Sequence, residues 1–307
     1  MMITLKAFLE LIRYPLFAIP IAATMPGALI ASEGRITGRV GVTLLIALLG
    51  YFAGMMKNDY FHHGQDAVVN PHRPLPSHRL TPRQVLIAAS STYILCVILG
   101  FLLHFKAGLL VIALVMISHC YNAIFKERGI WGSISLPVGI GLLNVFGALA
   151  VSGEVPRLVW YAFAATTLYD CGTHITTTFK DIERDKRVGI TTTPVQVGVK
   201  PALAISAVAT VCAFVVAALP HWLEGVGWNY IVWIFCALIA TSVTRLPLYL
   251  EANEKNGYRA LKGSMIGAVT FFPCLIGAKI SVWQSALIIL PLLFITLVLL
   301  QVTKREV

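Results

Sequence analysis

Charge is what this chain has least of. Only 12% of its 307 residues are Asp, Glu, Lys or Arg, against roughly a quarter in a soluble domain, and 57% are hydrophobic, for a mean hydropathy of +0.79. An ordinary water-soluble globule is excluded. Cysteines at metal-binding or redox spacing are missing too. The six Cys (96, 120, 171, 212, 236, 274) contain no CxxC pair, which removes a zinc site and a disulfide framework and leaves buried thiols. No low-complexity tail or soluble-domain stretch appears, so the expectation is one membrane domain over residues 1–307. No signal peptide is expected either, because the first apolar run continues into a full span without a small-residue cleavage site.

What is there is a series of apolar runs near the length that crosses a hydrocarbon core, about 20 residues each. They fall at 14–32, 39–56, 86–104, 107–122, 132–152, 157–178, 201–219, 228–248, 262–278 and 284–302. The spacing predicts an all-α polytopic helical bundle of about ten spans. Lys and Arg divide unevenly between the two sides. The side carrying the termini and the loops after even-numbered spans holds nineteen of the 24, among them Arg245, Lys304 and Arg305. The other side holds Arg35, Arg39, Lys106, Arg157 and Lys279. By the positive-inside rule this places both termini in the cytoplasm and favours an even count. The net charge of +10 is then mostly a topology signal, with anionic lipid or an anionic substrate as a further partner; nucleic acid is not needed to explain it.

Aspartate is scarcer still, and its placement is the informative feature. All five Asp lie in two short stretches, "NDYFHHGQD" (58–66) and "YDCGTHITTTFKDIERD" (169–185), each at the expected cytoplasmic end of a span. If the second span continues past Lys57, Asn58 and His62 are i, i+4, while Asp59, His63 and Asp66 are i, i+4, i+7. Asp170, His174, Thr177, Asp181 and Asp185 repeat that spacing on the sixth. Two oxygen-rich stripes facing one cavity suit Mg²⁺, which binds few carboxylates directly and keeps positions open for phosphate oxygens. Arg73, Lys126, Lys180 and Arg184 would supply the cations for a diphosphate. Ordinary solvated loops are the competing explanation, and two matched clusters weigh against it.

These residues resemble the UbiA superfamily of intramembrane prenyltransferases. Its first motif, NDxxDxxxD followed by an Arg-Pro loop, is matched at Asn58, Asp59, Asp66, Asn70, Arg73 and Pro74. Its second, DxxxD in a KD-I-x-D-x-x-x-G-I-x-T setting, is matched at Lys180, Asp181, Asp185, Gly189 and Thr191, and an intermediate Tyr-x-x-x-x-Lys element at Tyr121 and Lys126. The resemblance implies nine helices around a central cavity, with Mg²⁺ bridging both motifs and an isoprenoid diphosphate. The run 284–302 would be a tenth, C-terminal span. The chain departs from the pattern at His62, where the family has its middle Asp. Imidazole is a poor Mg²⁺ ligand, so His62 is expected to hydrogen-bond the diphosphate or a metal-bound water.

On that basis the metal would be held by Asn58, Asp59, Asp66, Asp181 and Asp185, with His62 acting beside the four Asp in catalysis. Asn58, Arg73, Tyr121, Lys126, Lys180, Arg184, Tyr169 and His174 would bind substrate. Two outcomes stay open: transfer of the prenyl group to a lipophilic, aromatic-type acceptor, or cyclisation to a terpene with no acceptor. A transporter would instead carry broken helices and midplane sites. Tyr169 and His63 also fit plain packing or capping roles. Arg13 is either a ligand for an acceptor carboxylate or a snorkelling, topology-setting cation, and His119 a helix-packing residue.

Overall fold

The computed structural model describes residues 2–302; Lys304 and Arg305, counted above among the cations of the terminal side, lie outside the described residues. The chain is a helical bundle. A short α1 (Met2–Leu11) precedes α2 (Ala18–Ala31), α3 (Gly38–Val69), α4 (Pro82–Leu103), α5 (Phe105–Cys120), α6 (Ile130–Ser152) and α7 (Arg157–Thr177). Two short helices, α8 (Ile182–Val188) and α9 (Thr193–Val197), lead into α10 (Val199–Leu223), α11 (Ile231–Leu250), α12 (Glu254–Phe271) and α13 (Val282–Val302). Nine helical stretches among the described residues are long and apolar enough to cross a membrane. The tenth of spanning length is α7, with 21 residues. Its Thr, Asp and His residues make it the more polar, and it packs between α6 and α10, where those groups face protein.

Two boundaries differ from the periodicity, each for a local reason. The run 39–56 is the start of a 32-residue helix capped by the Thr37 side chain, and nothing breaks it until Asn70-Pro71. The extra turns extend about 20 Å past Met56 and carry Asn58 to Asp66 as a rigid rod. The run 262–278 begins earlier, at Glu254, because the Asn253 side chain accepts from Asn256 N–H at 2.8 Å. The expected tenth span is present as α13, which packs on α12 at the edge and shows most of its surface outward.

One assignment is corrected. Arg245 is no loop cation but lies mid-bundle on α11, 2% exposed. Its guanidinium donates to Ser264 Oγ (3.1 Å), Thr210 Oγ1 (2.9 Å) and Thr173 Oγ1 (2.6 Å) and stacks over the Tyr169 ring. Counting cations by sequence position could not separate it from the loop residues that follow.

Lipid is as apolar as Leu, so burial alone does not hold such helices together; close backbone approach and polar contacts do. At Gly27 of α2 a Cβ would sit 1.7 Å from the Asn144 carbonyl oxygen of α6, so only glycine permits that crossing. The Asn144 amide in turn donates to Thr166 of α7 at 3.1 Å. At one end of the bundle Arg39 donates to the Val151 and Leu103 carbonyls and Lys106 to that of Gly153, satisfying helix C-termini. At the other end α1 and loop 70–81 fold over α3, tied by an Arg79–Glu10 pair at 2.6 Å and by buried Leu75, Leu80 and Leu11.

Candidate active site

The overhanging end of α3 delivers the first cluster. Asp59 Oδ1 is 3.1 Å from Arg13 and 3.7 Å from Arg73, and Asp66 Oδ2 accepts from Arg73 at 2.7 Å. Asn70 donates to the other oxygen of Asp66 at 2.9 Å. Asn58 Oδ1, one residue before Asp59, accepts from Lys126 Nζ at 3.0 Å. His62 is buried on the same rod. Its Nδ1 lies 3.2 Å from Gln65 and 3.3 Å from Glu127, while Nε2 has no partner.

The second cluster follows α7, where the chain leaves the α-helix through a 3₁₀ turn at Thr178–Asp181 before α8. Asp181 is paired with Lys180 at 3.0 Å and Arg184 at 2.9 Å. Asp185, one helical turn on, is buried. The loop after α5 joins the two clusters: Lys126 reaches Asn58, and two residues later Arg128–Gly129 (β1) pair in parallel with Thr191–Thr192 (β2), just beyond Asp185. Stretches over a hundred residues apart are thereby stitched into one mouth. A further chain of contacts descends from it, Tyr121 OH to His174 Nε2 at 3.2 Å, His174 Nδ1 to Ser133 at 3.1 Å, and Ser133 to Thr193 at 2.8 Å.

The mouth is short of countercharge of both kinds. Burial, together with the nearby Arg13, pushes the Lys126 ammonium down to about 7. Burial, together with the Asp181 carboxylate, pushes Asp185 up to about 6. A cation between the carboxylates and an anion among Arg13, Arg73, Lys126, Lys180 and Arg184 would relieve both. The donor set is hard oxygen, which fits Mg²⁺. Among the described residues no three His, Cys, Asp or Glu side chains are gathered on a point that could hold a metal, and the carboxylates of the first motif are paired with Arg13 and Arg73.

Below the mouth lies a cavity of about 280 Å³ between α2, α3, α4, α5, α6 and α7. Its walls are apolar over most of their area, with Ile46, Leu143 and Phe146 deep inside. Tyr51, Tyr121, Asn122 and Asp170 also line it. Such a shape suits a ligand with a polar head and a hydrocarbon tail.

The expected residues divide by which face of their helix they occupy. Asn58, Asp59, His62, Asp66, Arg73, Lys126, Lys180, Asp181, Arg184 and Asp185 all belong to the mouth, Tyr121 lines the cavity below it, and His174 is bonded to the Tyr121 hydroxyl. Tyr169 does not join them: it is fully buried on the far side of α7, stacked on Phe271 at 4.6 Å and bonded to Thr241 at 2.8 Å. His63 is exposed and bonds its own helix at Tyr60 O. Thr176, Thr177 and Thr178 bond back to carbonyls of α7 instead of wetting the cavity. Sequence reasoning undervalued Arg13, whose left-handed backbone (φ 47°) turns the chain so that its side chain meets Asp59. It missed Glu127, a carboxylate that stands beside His62 where the first motif has lost an Asp.

A family model described as the UbiA prenyltransferase family matches residues 20–266. The chain belongs to the UbiA prenyltransferase family. It is thus a multi-pass integral membrane protein and a UbiA-type prenyltransferase. This family member is 26% identical over 249 residues to a digeranylgeranylglyceryl phosphate synthase of Natronomonas pharaonis, covering 81% of this chain and 89% of the relative. It is 30% identical over 203 residues to the protein of the same name from Methanothermobacter thermautotrophicus, covering 64% and 68%. A solved UbiA homologue from Archaeoglobus fulgidus bound to GPP and Mg²⁺ shares the fold, with a TM-score of 0.62 over 96% of this chain and 97% of that one at 16% identity.

Proposed function

We propose that this UbiA-type protein ionises an allylic isoprenoid diphosphate at the mouth and transfers the prenyl group to a lipophilic hydroxyl acceptor, of the prenylglyceryl phosphate class. The observation that carries this is the junction of a cation-rich, carboxylate-rich mouth with an apolar cavity directly beneath it. The names of the curated relatives favour a glyceryl phosphate acceptor over the aromatic one expected from the sequence. A phosphate on the acceptor also suits a mouth where five cations surround four Asp.

Mg²⁺, held by Asn58, Asp59, Asp66, Asp181 and Asp185, would neutralise the leaving diphosphate. Arg13 and Arg73 exchange their carboxylate partners for diphosphate oxygens, and Lys126, Lys180 and Arg184 close on the same group. His62, whose Nδ1–H is held by Gln65 Oε1 and Glu127, would offer the lone pair of its unpartnered Nε2 to a donor such as a metal-bound water. Tyr121, its hydroxyl set against the His174 imidazole, lines the path of the first isoprene unit. The apolar wall excludes water, which would otherwise quench the allylic cation. Residues 1–307 work as one domain with the mouth and both termini cytoplasmic, in keeping with eighteen Lys and Arg on that side against five once Arg245 is set aside.

The test is acceptor dependence. Purified protein with Mg²⁺ and geranylgeranyl diphosphate should consume little diphosphate alone and form a prenyl ether when geranylgeranylglyceryl phosphate is added. A cyclic hydrocarbon formed without acceptor would instead identify a cyclase.

A further inference from the structure

Four of the five Asp belong to the two motifs at the mouth. Asp170 does not. It sits on α7, eleven residues before Asp181, and lines the apolar cavity. Among the described residues its carboxylate has no hydrogen-bond or ion-pair partner, whereas Asp59, Asp66 and Asp181 are each paired with Arg or Lys. The groups that act on it electrostatically are Arg245 from α11, Tyr121 at the end of α5, and its neighbours Tyr169 and Cys171. Arg245 is committed to three hydroxyls and lies beyond ion-pair distance. An ionisable side chain at membrane depth is costly to keep and marks a functional position by default.

Resting on the transferase reading above, we infer that Asp170 is the proton acceptor for the attacking hydroxyl of the acceptor. The allylic carbon–oxygen bond to diphosphate breaks and its electron pair leaves with the diphosphate. The acceptor oxygen forms the new carbon–oxygen bond. The hydroxyl proton, with no bulk water to receive it, passes to a carboxylate oxygen of Asp170, so charge and atoms balance. The motif carboxylates are ill suited to this step, being held by cations or given over to metal. Asp170 stands free and lines the same cavity as Tyr51, Tyr121 and Asn122, whose polar groups can orient the hydroxyl.

The experiment compares wild type, Asp170→Asn and Asp170→Glu in lipid nanodiscs with Mg²⁺, geranylgeranyl diphosphate and geranylgeranylglyceryl phosphate. It measures ether product, diphosphate affinity and melting temperature. The expected result is that D170N loses at least a hundredfold in ether formation while binding diphosphate within threefold of wild type, and that D170E recovers tenfold or more over D170N. Ether formation by D170N within threefold of wild type would overturn the assignment. So would a parallel fall in melting temperature and diphosphate affinity in both variants, the pattern of a residue that only balances Arg245. If wild type itself makes no ether, the transferase reading has failed; if wild type and D170N make it equally, only Asp170 has.

Discussion

The two ends of the bundle use the same cations for different work. At the end away from the mouth Arg39 and Lys106 bond helix-terminal carbonyls, and Lys279 meets Glu33. At the mouth Arg13, Arg73, Lys180 and Arg184 meet Asp, and Lys126 meets an Asn amide oxygen. The first arrangement is complete in itself, since every partner is a fixed group of the fold. The second leaves Lys126 and Asp185 pushed towards neutrality, so the mouth is stabilised by whatever supplies the opposite charges. The difference separates a structural end from a binding end.

Substitutions can break that contrast. Asp181→Ala and Asp66→Ala should each lower turnover by on the order of 10³-fold or more while the purified protein elutes and melts as wild type; near-normal Mg²⁺-dependent turnover in either would remove that residue from the site. Lys126→Met should cost on the order of 10²-fold in kcat/KM, the scale of one lost charge-stabilising donor. Arg245→Met probes a third kind of cation, buried among hydroxyls. It should lower stability by about 2 kcal/mol, read from thermal melts, yet leave diphosphate affinity near wild type. His62→Asp, which restores the missing carboxylate, should tighten Mg²⁺ by about tenfold in titrations with diphosphate present. Arg39→Ala, at the end away from the mouth, should cost only about 1 kcal/mol, or about 2–4 °C in melting temperature, with no change in turnover per folded molecule.

Much of this was legible in the sequence because helical period and membrane span length are strong signals. The spacing of Asp59, His63 and Asp66 requires α3 to continue past Lys57, and it does. Tyr169 misled because adjacent helical residues point about 100° apart, so a neighbour of Asp170 need not share its face. Arg13 and Glu127 carried no periodic signal. One reaches the site through a left-handed turn and the other from a loop, and only the folded chain brings them to Asp59 and His62. Arg245 shows the limit of counting charges: the positive-inside rule sums cations by position and cannot tell one held by three hydroxyls within the bundle from one in a loop.

Two Asp motifs far apart in sequence serve one ligand. A double-mutant cycle tests it directly, using Mg²⁺-dependent affinity for a non-ionisable thiolo analogue of geranylgeranyl diphosphate in wild type, Asp66→Ala, Asp181→Ala and the double variant. With one shared site the losses fail to add, with a coupling of about 1 kcal/mol or more; losses that add within about 0.3 kcal/mol would mean two independent sites.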